Sequence, residues 1–205
     1  MFTCTTFTEP SGTLAVRHAT LTLSGWNTAL PRLVLADANL EVRHESSKLD
    51  AAVNARLPTV LGGDASLRLH TFGAGDLATL GWNGSARLRS ITFPGWRKLV
   101  PEYLSGLDEG VGAFQLTAAG TGADVTRADL NFAANGVITR LADGPLAKFD
   151  EMSGDLTLTH SGKDWMLAGR HVRTARIDPE SSFDVDWRLG EAGLAPLGRS
   201  AAPTS

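Results

Sequence analysis

The chain is predicted to be mainly β, a long antiparallel twisted sheet laid out as a meander and open as a β-groove, with one short amphipathic helix near residues 94–104. Three observations predict it. Apolar and polar residues alternate in segment after segment, which puts every apolar side chain on one face of a pleated strand. Turn-forming residues punctuate the segments, as hairpin connections require. Several segments run to about 10–12 residues, roughly 35–40 Å at about 3.3 Å per residue. Their apolar positions hold many small groups, among them Ala51, Ala55, Ala65, Gly84, Ala86, Ala118 and Ala134. A smooth, shallow apolar face of this kind suits an open sheet better than an interdigitated sandwich core.

The elements follow in order. Leu14 and Val16 alternate with polar neighbours, and Leu21 and Leu23 resume after His18-Ala19; Leu33 and Leu35 open a segment that closes with Leu40 and Val42. The cleanest alternation is Leu49, Ala51, Val53, Ala55, Leu57, followed by Ala65, Leu67, Leu69 and then Trp82, Gly84, Ala86, Leu88. Phe114, Leu116, Ala118 and Leu130, Phe132, Ala134 form two further faces. Leu156 and Leu158, Trp165 and Leu167, and Phe183, Val185 and Trp187 complete the series. Roughly ten strands result. Leu61-Gly-Gly-Asp64, Gly120–Asp124, Asn135-Gly136 and Ser161–Asp164 are the expected turns, with Asn135-Gly136 and Ser161-Gly162 supplying the positive φ of tight hairpins. The rhythm breaks at Pro94–Leu104. There Trp96, Leu99, Val100, Tyr103 and Leu104 fall at helical spacing, as a short amphipathic helix or two turns broken by Pro101 across an end or face of the sheet.

Residues 12–189 are expected to form one module. Residues 1–11 are expected to be a disordered or truncated remnant, and 190–205 a flexible tail. The 205 residues suffice for one large domain, and 42% hydrophobic with 20% charged residues marks a folding sequence. A net charge of −3, with basic residues scattered and no run longer than Arg97-Lys98, argues against nucleic acid as the main partner. Cys4, the single cysteine, leaves no internal disulfide and no cysteine-ligated zinc. Met1–Thr6 carries neither the basic nor the apolar region of a signal peptide. No stretch approaches the roughly 20 apolar residues of a membrane-spanning helix.

No catalytic apparatus emerges, and no metal or cofactor is expected. His18, His44, His70, His160 and His171 do not pair at zinc-ligand spacing. No nucleophile elbow, phosphate loop or dinucleotide fingerprint occurs, and Gly73-Ala-Gly75 reads as a turn. Asp184 and Asp186 share one strand face, and Asp143, Asp150, Glu151 and Asp155 form an acidic stretch; both read as solvated surface. The acidic stretch alone motivates a third-ranked alternative, a hydrolase of envelope polymers. Trp26 and Trp96 lie near turns, where amphipathic rings mark a rim or interface.

Over residues 12–189 the sequence resembles the central β-rich domain of the YhdP-type, AsmA-like proteins of Gram-negative bacteria. Pro10–Leu21, Pro31–Val42, Leu61–Leu69, Trp82–Leu88 followed by the Trp96 segment, Gly110–Leu116, Met152–Leu156 and Trp165–Arg170 carry the likeness by their order and spacing. The resemblance implies a non-enzymatic module of an intermembrane phospholipid-transport protein. It would be periplasmic, associated with the inner membrane through other segments, and would support the lipid homeostasis and permeability barrier of the outer membrane. Its partners would be phospholipid acyl chains and the remaining segments of a longer AsmA-like protein or neighbouring envelope proteins, the present chain corresponding to a truncated or partial copy. The candidate groove lining is Leu49, Val53, Leu57, Leu67, Leu69, Leu88, Leu116, Leu130, Phe132, Leu156 and Leu158. The alternative is a structural or protein-interaction β-sandwich module of the envelope that binds no lipid.

Overall fold

In the computed structural model eleven strands follow one another in a single antiparallel sheet whose spatial order is the chain order. The structure describes residues 11–24, 32–45, 48–73, 78–104, 106–140, 146–161, 164–175, 181–190 and 193–196. The strands are β1 (Ser11–Ser24), β2 (Arg32–Glu45), β3 (Lys48–Arg56), β4 (Asp64–Phe72), β5 (Gly81–Thr92), β6 (Leu107–Thr121), β7 (Asp124–Arg140), β8 (Leu146–Ser161), β9 (Asp164–Ala175), β10 (Ser181–Gly190) and β11 (Gly193–Pro196). Two helical turns, α1 (Phe93–Leu99) and α2 (Pro101–Leu104), interrupt the meander between β5 and β6. The expected fold class is therefore the observed one. β11 pairs with β10 through Leu189↔Leu194 and Gly190↔Gly193, so the pairing runs on into residues expected to be tail.

Alternation is broken at defined bulges. His18, Asp37, Ser90 and His171 are non-glycine residues with φ near +50°, at 52°, 50°, 52° and 51°. The first three lie at register shifts between Val16 and Ala19, between Ala36 and Asn39, and between Leu88 and Ile91. An extra residue in one strand reverses which parity faces the core side. That is why Leu14 and Val16 give way to Leu21 and Leu23, and Leu33 and Leu35 to Leu40 and Val42: one face stays apolar across the bulge. The β1–β2 bulge is held by its own side chains. The His18 ring pairs with Asp37 at 2.7 Å, the His18 N–H donates to Asn39 Oδ1, and Asn39 Nδ2 donates to the Asp37 carbonyl.

Asn135-Gly136 corrects the sequence reading. It is not a hairpin turn but lies inside β7, where Gly136 has φ of 60°. The register with β6 slips here, from Val111↔Asn135 to Glu109↔Ile138, while β8 pairs straight through from Asn135↔Glu151 to Val137↔Phe149. Positive φ serves a bulge as well as a turn, and the local sequence does not separate the two. The other expected turns lie between strands. Thr121↔Asp124 closes the β6–β7 hairpin around Gly122-Ala123, and Ser161↔Asp164 closes β8–β9 around residues outside the described set.

Among the described residues the enclosed core sits at the end of the apolar face that α1 covers. Leu33, Leu57, Leu61, Ile91, Phe93, Leu99, Ala134 and Val137 are buried there, with Leu88, Trp96, Phe114, Phe149 and Met152 packed around them. α1 starts with Pro94 in its first turn and ends where Val100 N–H bonds the Trp96 carbonyl. Pro101 has no N–H to continue the ladder and its ring would crowd the preceding turn, so the second turn is separate. The helix docks on the β3–β4 loop: the Thr92 N–H and Trp96 Nε1 both donate to the Leu61 carbonyl, and Thr92 Oγ1 donates to that of Val60. Gly95 permits this approach, because a Cβ there would stand 1.9 Å from the Val60 carbonyl oxygen.

Candidate functional site

Beyond that capped end the apolar face lies open. Cross-strand register assembles it into continuous rows. One runs Val16–Leu40–Val53–Leu67–Ala86–Leu116–Leu130–Leu156–Gly169 from β1 to β9. The next runs Leu14–Val42–Ala51–Leu69–Gly84–Ala118–Ala128–Leu158–Leu167. Every pair of neighbours in a row is directly opposed, so side chains from successive strands touch laterally and shield one another. Among the described residues nothing else covers them. No residue of either row except Gly169 is buried, and Leu14, Leu67 and Leu116 are 58%, 53% and 38% exposed. Nine strands about 4.8 Å apart and two rows about 7 Å apart give a projected apolar band on the order of 500 Å², at the upper end for a monomer.

The structure distributes the sequence-derived lining over two environments. Val53 opposes Leu67, and Leu116, Leu130 and Leu156 stand side by side, in the first open row. Leu69 and Leu158 belong to the second, separated by Gly84, Ala118 and Ala128, where the band is shallowest. Leu49 lies near the strand end opposite His44. Leu57, in contrast, is buried in the capped core, Leu88 packs against that core, and Phe132 opposes Phe114 beside it. Trp96 is half-buried with its indole N–H bonded 2.9 Å from the Leu61 carbonyl, fastening α1 to the sheet. Trp26 lies outside the described residues, as does Asp143 of the acidic stretch. Of the remainder, Asp150 and Glu151 are exposed, and Asp155 accepts from Asn131 Nδ2 at 2.8 Å with His171 nearby.

The opposite face carries the polar residues, and the described depressions lie on it. The largest, about 860 Å³, is lined from β2 to β7 by residues such as Glu41, Arg43, Asp50, Arg68, His70, Arg127 and Asp129. Ala51, Leu69, Gly84 and Ala118 of the second apolar row also border it. Of the candidate lining only Leu69 borders it. Ion pairs Arg43–Glu41 and Arg127–Asp129 lie along this face, and the His70 ring is hydrogen-bonded to Asp50. Arg127 grips Asp129 with two N–H groups, at 2.7 and 2.9 Å, and Thr157 Oγ1 donates to the same carboxylate at 2.7 Å. The Arg127 hydrogen bonds hold the Asp129 carboxyl below the usual carboxylate range, against the opposing effect of desolvation.

Sequence reasoning treated these polar residues singly and so missed that Arg56, Arg68, Arg87 and Arg89 gather on one stretch of this face. The signal was available in the alternation itself. Each arginine occupies the polar parity of its strand, and the hairpin registers bring them together. Among the described residues no helix is long and apolar enough to cross a membrane, and no group of three or more His, Cys, Asp or Glu side chains could hold a metal ion. Compared with known proteins, the chain matches no family model, no curated protein and no solved structure.

Proposed function

We propose that this chain is a non-enzymatic lipid-shielding module of an AsmA-like intermembrane transport protein, which seats phospholipid acyl chains on its open apolar face. The observation that carries the reading is the pair of uninterrupted apolar rows, from β1 to β9, that no other layer covers among the described residues. Exposed apolar surface of this extent is stabilised by whatever removes it from water. Acyl chains need no directional partner, only continuity, and the rows supply continuity across strands. The small residues Gly84, Ala118 and Ala128 between Leu69 and Leu158 leave a shallow seat for a chain. The module would act in the periplasm, tethered to the inner membrane by other segments of a longer protein, and contribute to the outer-membrane barrier.

The alternative, a structural or protein-interaction module, keeps the same face but covers it with protein. Its sandwich form finds no second sheet among the described residues, since all eleven strands belong to one. The test is to direct residues 1–205 to the periplasm, purify without detergent and extract for lipid mass spectrometry. Phospholipid in near-stoichiometric amount is expected. It should be lost in Leu67→Asp and Leu130→Asp variants that keep the far-ultraviolet signature of the sheet. A folded, lipid-free wild-type protein, or retention of lipid by both variants, would refute the reading.

A further inference from the structure

The face opposite the apolar rows holds a concentration of positive charge that the fold does not neutralise. Arg56 ends β3, Arg68 is central in β4, and Arg87 and Arg89 follow one another on the polar parity of β5. Register sets Arg68 opposite Ser85, Arg87 opposite Ser66 and Arg56 opposite Asp64. The four line two adjoining depressions of about 360 and 270 Å³, which share Asn54, Ser66, Arg68 and Arg87 as common walls. Four guanidinium groups face two carboxylates there, Asp37 and Asp64, a surplus of two positive charges. Asp37 is moreover engaged by the His18 ring.

Elsewhere on this face Arg43 is paired with Glu41 and Arg127 with Asp129. Among the described residues none of Arg56, Arg68, Arg87 and Arg89 is in an ion pair, and Arg87 donates to the neutral Gln115 amide at 2.6 Å. Like charges on adjacent strands repel, so the arrangement works against folding unless something answers it. Around the guanidinium groups stand Asn39, Asn54, Ser66, Ser85 and Gln115, neutral side chains that donate and accept hydrogen bonds. A planar guanidinium presents paired N–H groups that match a tetrahedral oxyanion two at a time. A surplus of two charges fits one phosphate or pyrophosphate group, whereas a long polyanion would run onto Glu41, Asp50 and Asp129 in the neighbouring depression.

We propose that the depression across β3, β4 and β5 is a binding site for a compact phosphate-bearing ligand, held by Arg68 and Arg87 at its centre with Arg56 and Arg89 at its rim. The phosphate could belong to a soluble ester or to a lipid headgroup, and the chemistry of recognition is the same. The site lies on the opposite face from the acyl-chain seat and does not depend on it.

The test titrates the full chain with inorganic pyrophosphate by calorimetry at low salt, where exposed charges are least screened. Saturable one-site binding is expected for the wild type. The Arg68→Gln/Arg87→Gln double variant should bind at least about tenfold more weakly, the loss expected for removing charged hydrogen bonds. Arg68→Lys/Arg87→Lys, which keeps charge but not the fork, should fall between. Arg43→Gln should bind as the wild type does. All three substituted positions, Arg43, Arg68 and Arg87, are exposed, and equal urea midpoints would certify that the variants fold. No binding by the wild type, or equal weakening by Arg43→Gln, would overturn the proposal. Sedimentation with phosphatidylglycerol vesicles then separates the sources. Binding that pyrophosphate displaces and the double variant loses marks a headgroup site, and pyrophosphate binding without vesicle binding marks a soluble ligand.

Discussion

Leu61 and Leu67 are the same side chain in opposite situations, and replacing each by alanine measures whether the sheet is a single layer. Leu61 is 1% exposed and packed in the core beneath α1, whereas Leu67 is 53% exposed in the middle of the first apolar row. Truncating a fully enclosed leucine loses its transfer free energy and leaves a cavity, at about 2–5 kcal/mol. Truncating Leu67 loses only the half of its burial that neighbours such as Val53 and Ala86 provide, about 1 kcal/mol, and opens no enclosed cavity. With a urea dependence of about 2 kcal/mol per molar, the Leu61→Ala midpoint should fall by roughly 1–2 M and the Leu67→Ala midpoint by about 0.5 M. The measurement is made on delipidated full chain at several protein concentrations. Equal shifts would refute the open-face reasoning, since Leu67 would then be enclosed. If the equality disappeared on dilution, a second copy would be the cover. With phospholipid bound, the Leu67→Ala penalty should grow while that of Leu61→Ala stays constant.

Two further outcomes follow from the backbone and from the polar face. Gly136→Val places a β-branched residue at a φ of 60° inside β7 and should cost about 1–2 kcal/mol, read as a lowered urea midpoint; an unchanged midpoint would mean that the bulge is not adopted. Asp129, its carboxyl held below the ordinary 3.8 by Arg127, stabilises the fold fully above that value and progressively less as pH falls through its folded value. The gap in midpoint between wild type and Asp129→Asn should therefore be full at pH 7 and close in acid, and a gap independent of pH would assign the effect to something other than the charge.

Alternation made the strands legible because period two survives everything except a bulge, and the helix was legible because Pro94 and Pro101 bracket apolar residues at helical spacing. The bulges were not, for a physical reason. A non-glycine residue at positive φ, such as His18 or Ser90, announces itself only by the change of parity that follows. The same change is produced by ending one strand and starting another. Asn135-Gly136 shows the ambiguity from the other side, since the dipeptide chooses a backbone conformation and its neighbours β6 and β8 decide what that conformation is for. The candidate lining was readable as a set, but not the separation of Leu57, which turns into the capped core, from Val53 four residues earlier, which stays in the open row. That difference depends on where α1 lands, and α1 is placed by the Val60 and Leu61 carbonyls and the space at Gly95.

A one-layer sheet cannot hide either of its faces, so each must be stabilised in its own way. At the α1 end the protein covers the apolar face itself, and there the residues are large and buried. Over the remaining strands it supplies only lateral contact between rows, and Ala51, Ala86, Ala118 and Ala128 keep the uncovered area small per strand while leaving it continuous. On the other face, ion pairs hold Arg43 and Arg127, while Arg56, Arg68, Arg87 and Arg89 gather without carboxylate partners among the described residues where β3, β4 and β5 meet. The two unanswered surfaces, one apolar and one cationic, lie back to back on the same strands: Leu67 and Arg68 are consecutive residues of β4, as are Ala86 and Arg87 of β5. An occupant of one face therefore rigidifies the strands that present the other. Acyl chains on the rows and phosphate in the depression should then raise the urea midpoint together by more than the sum of their separate effects.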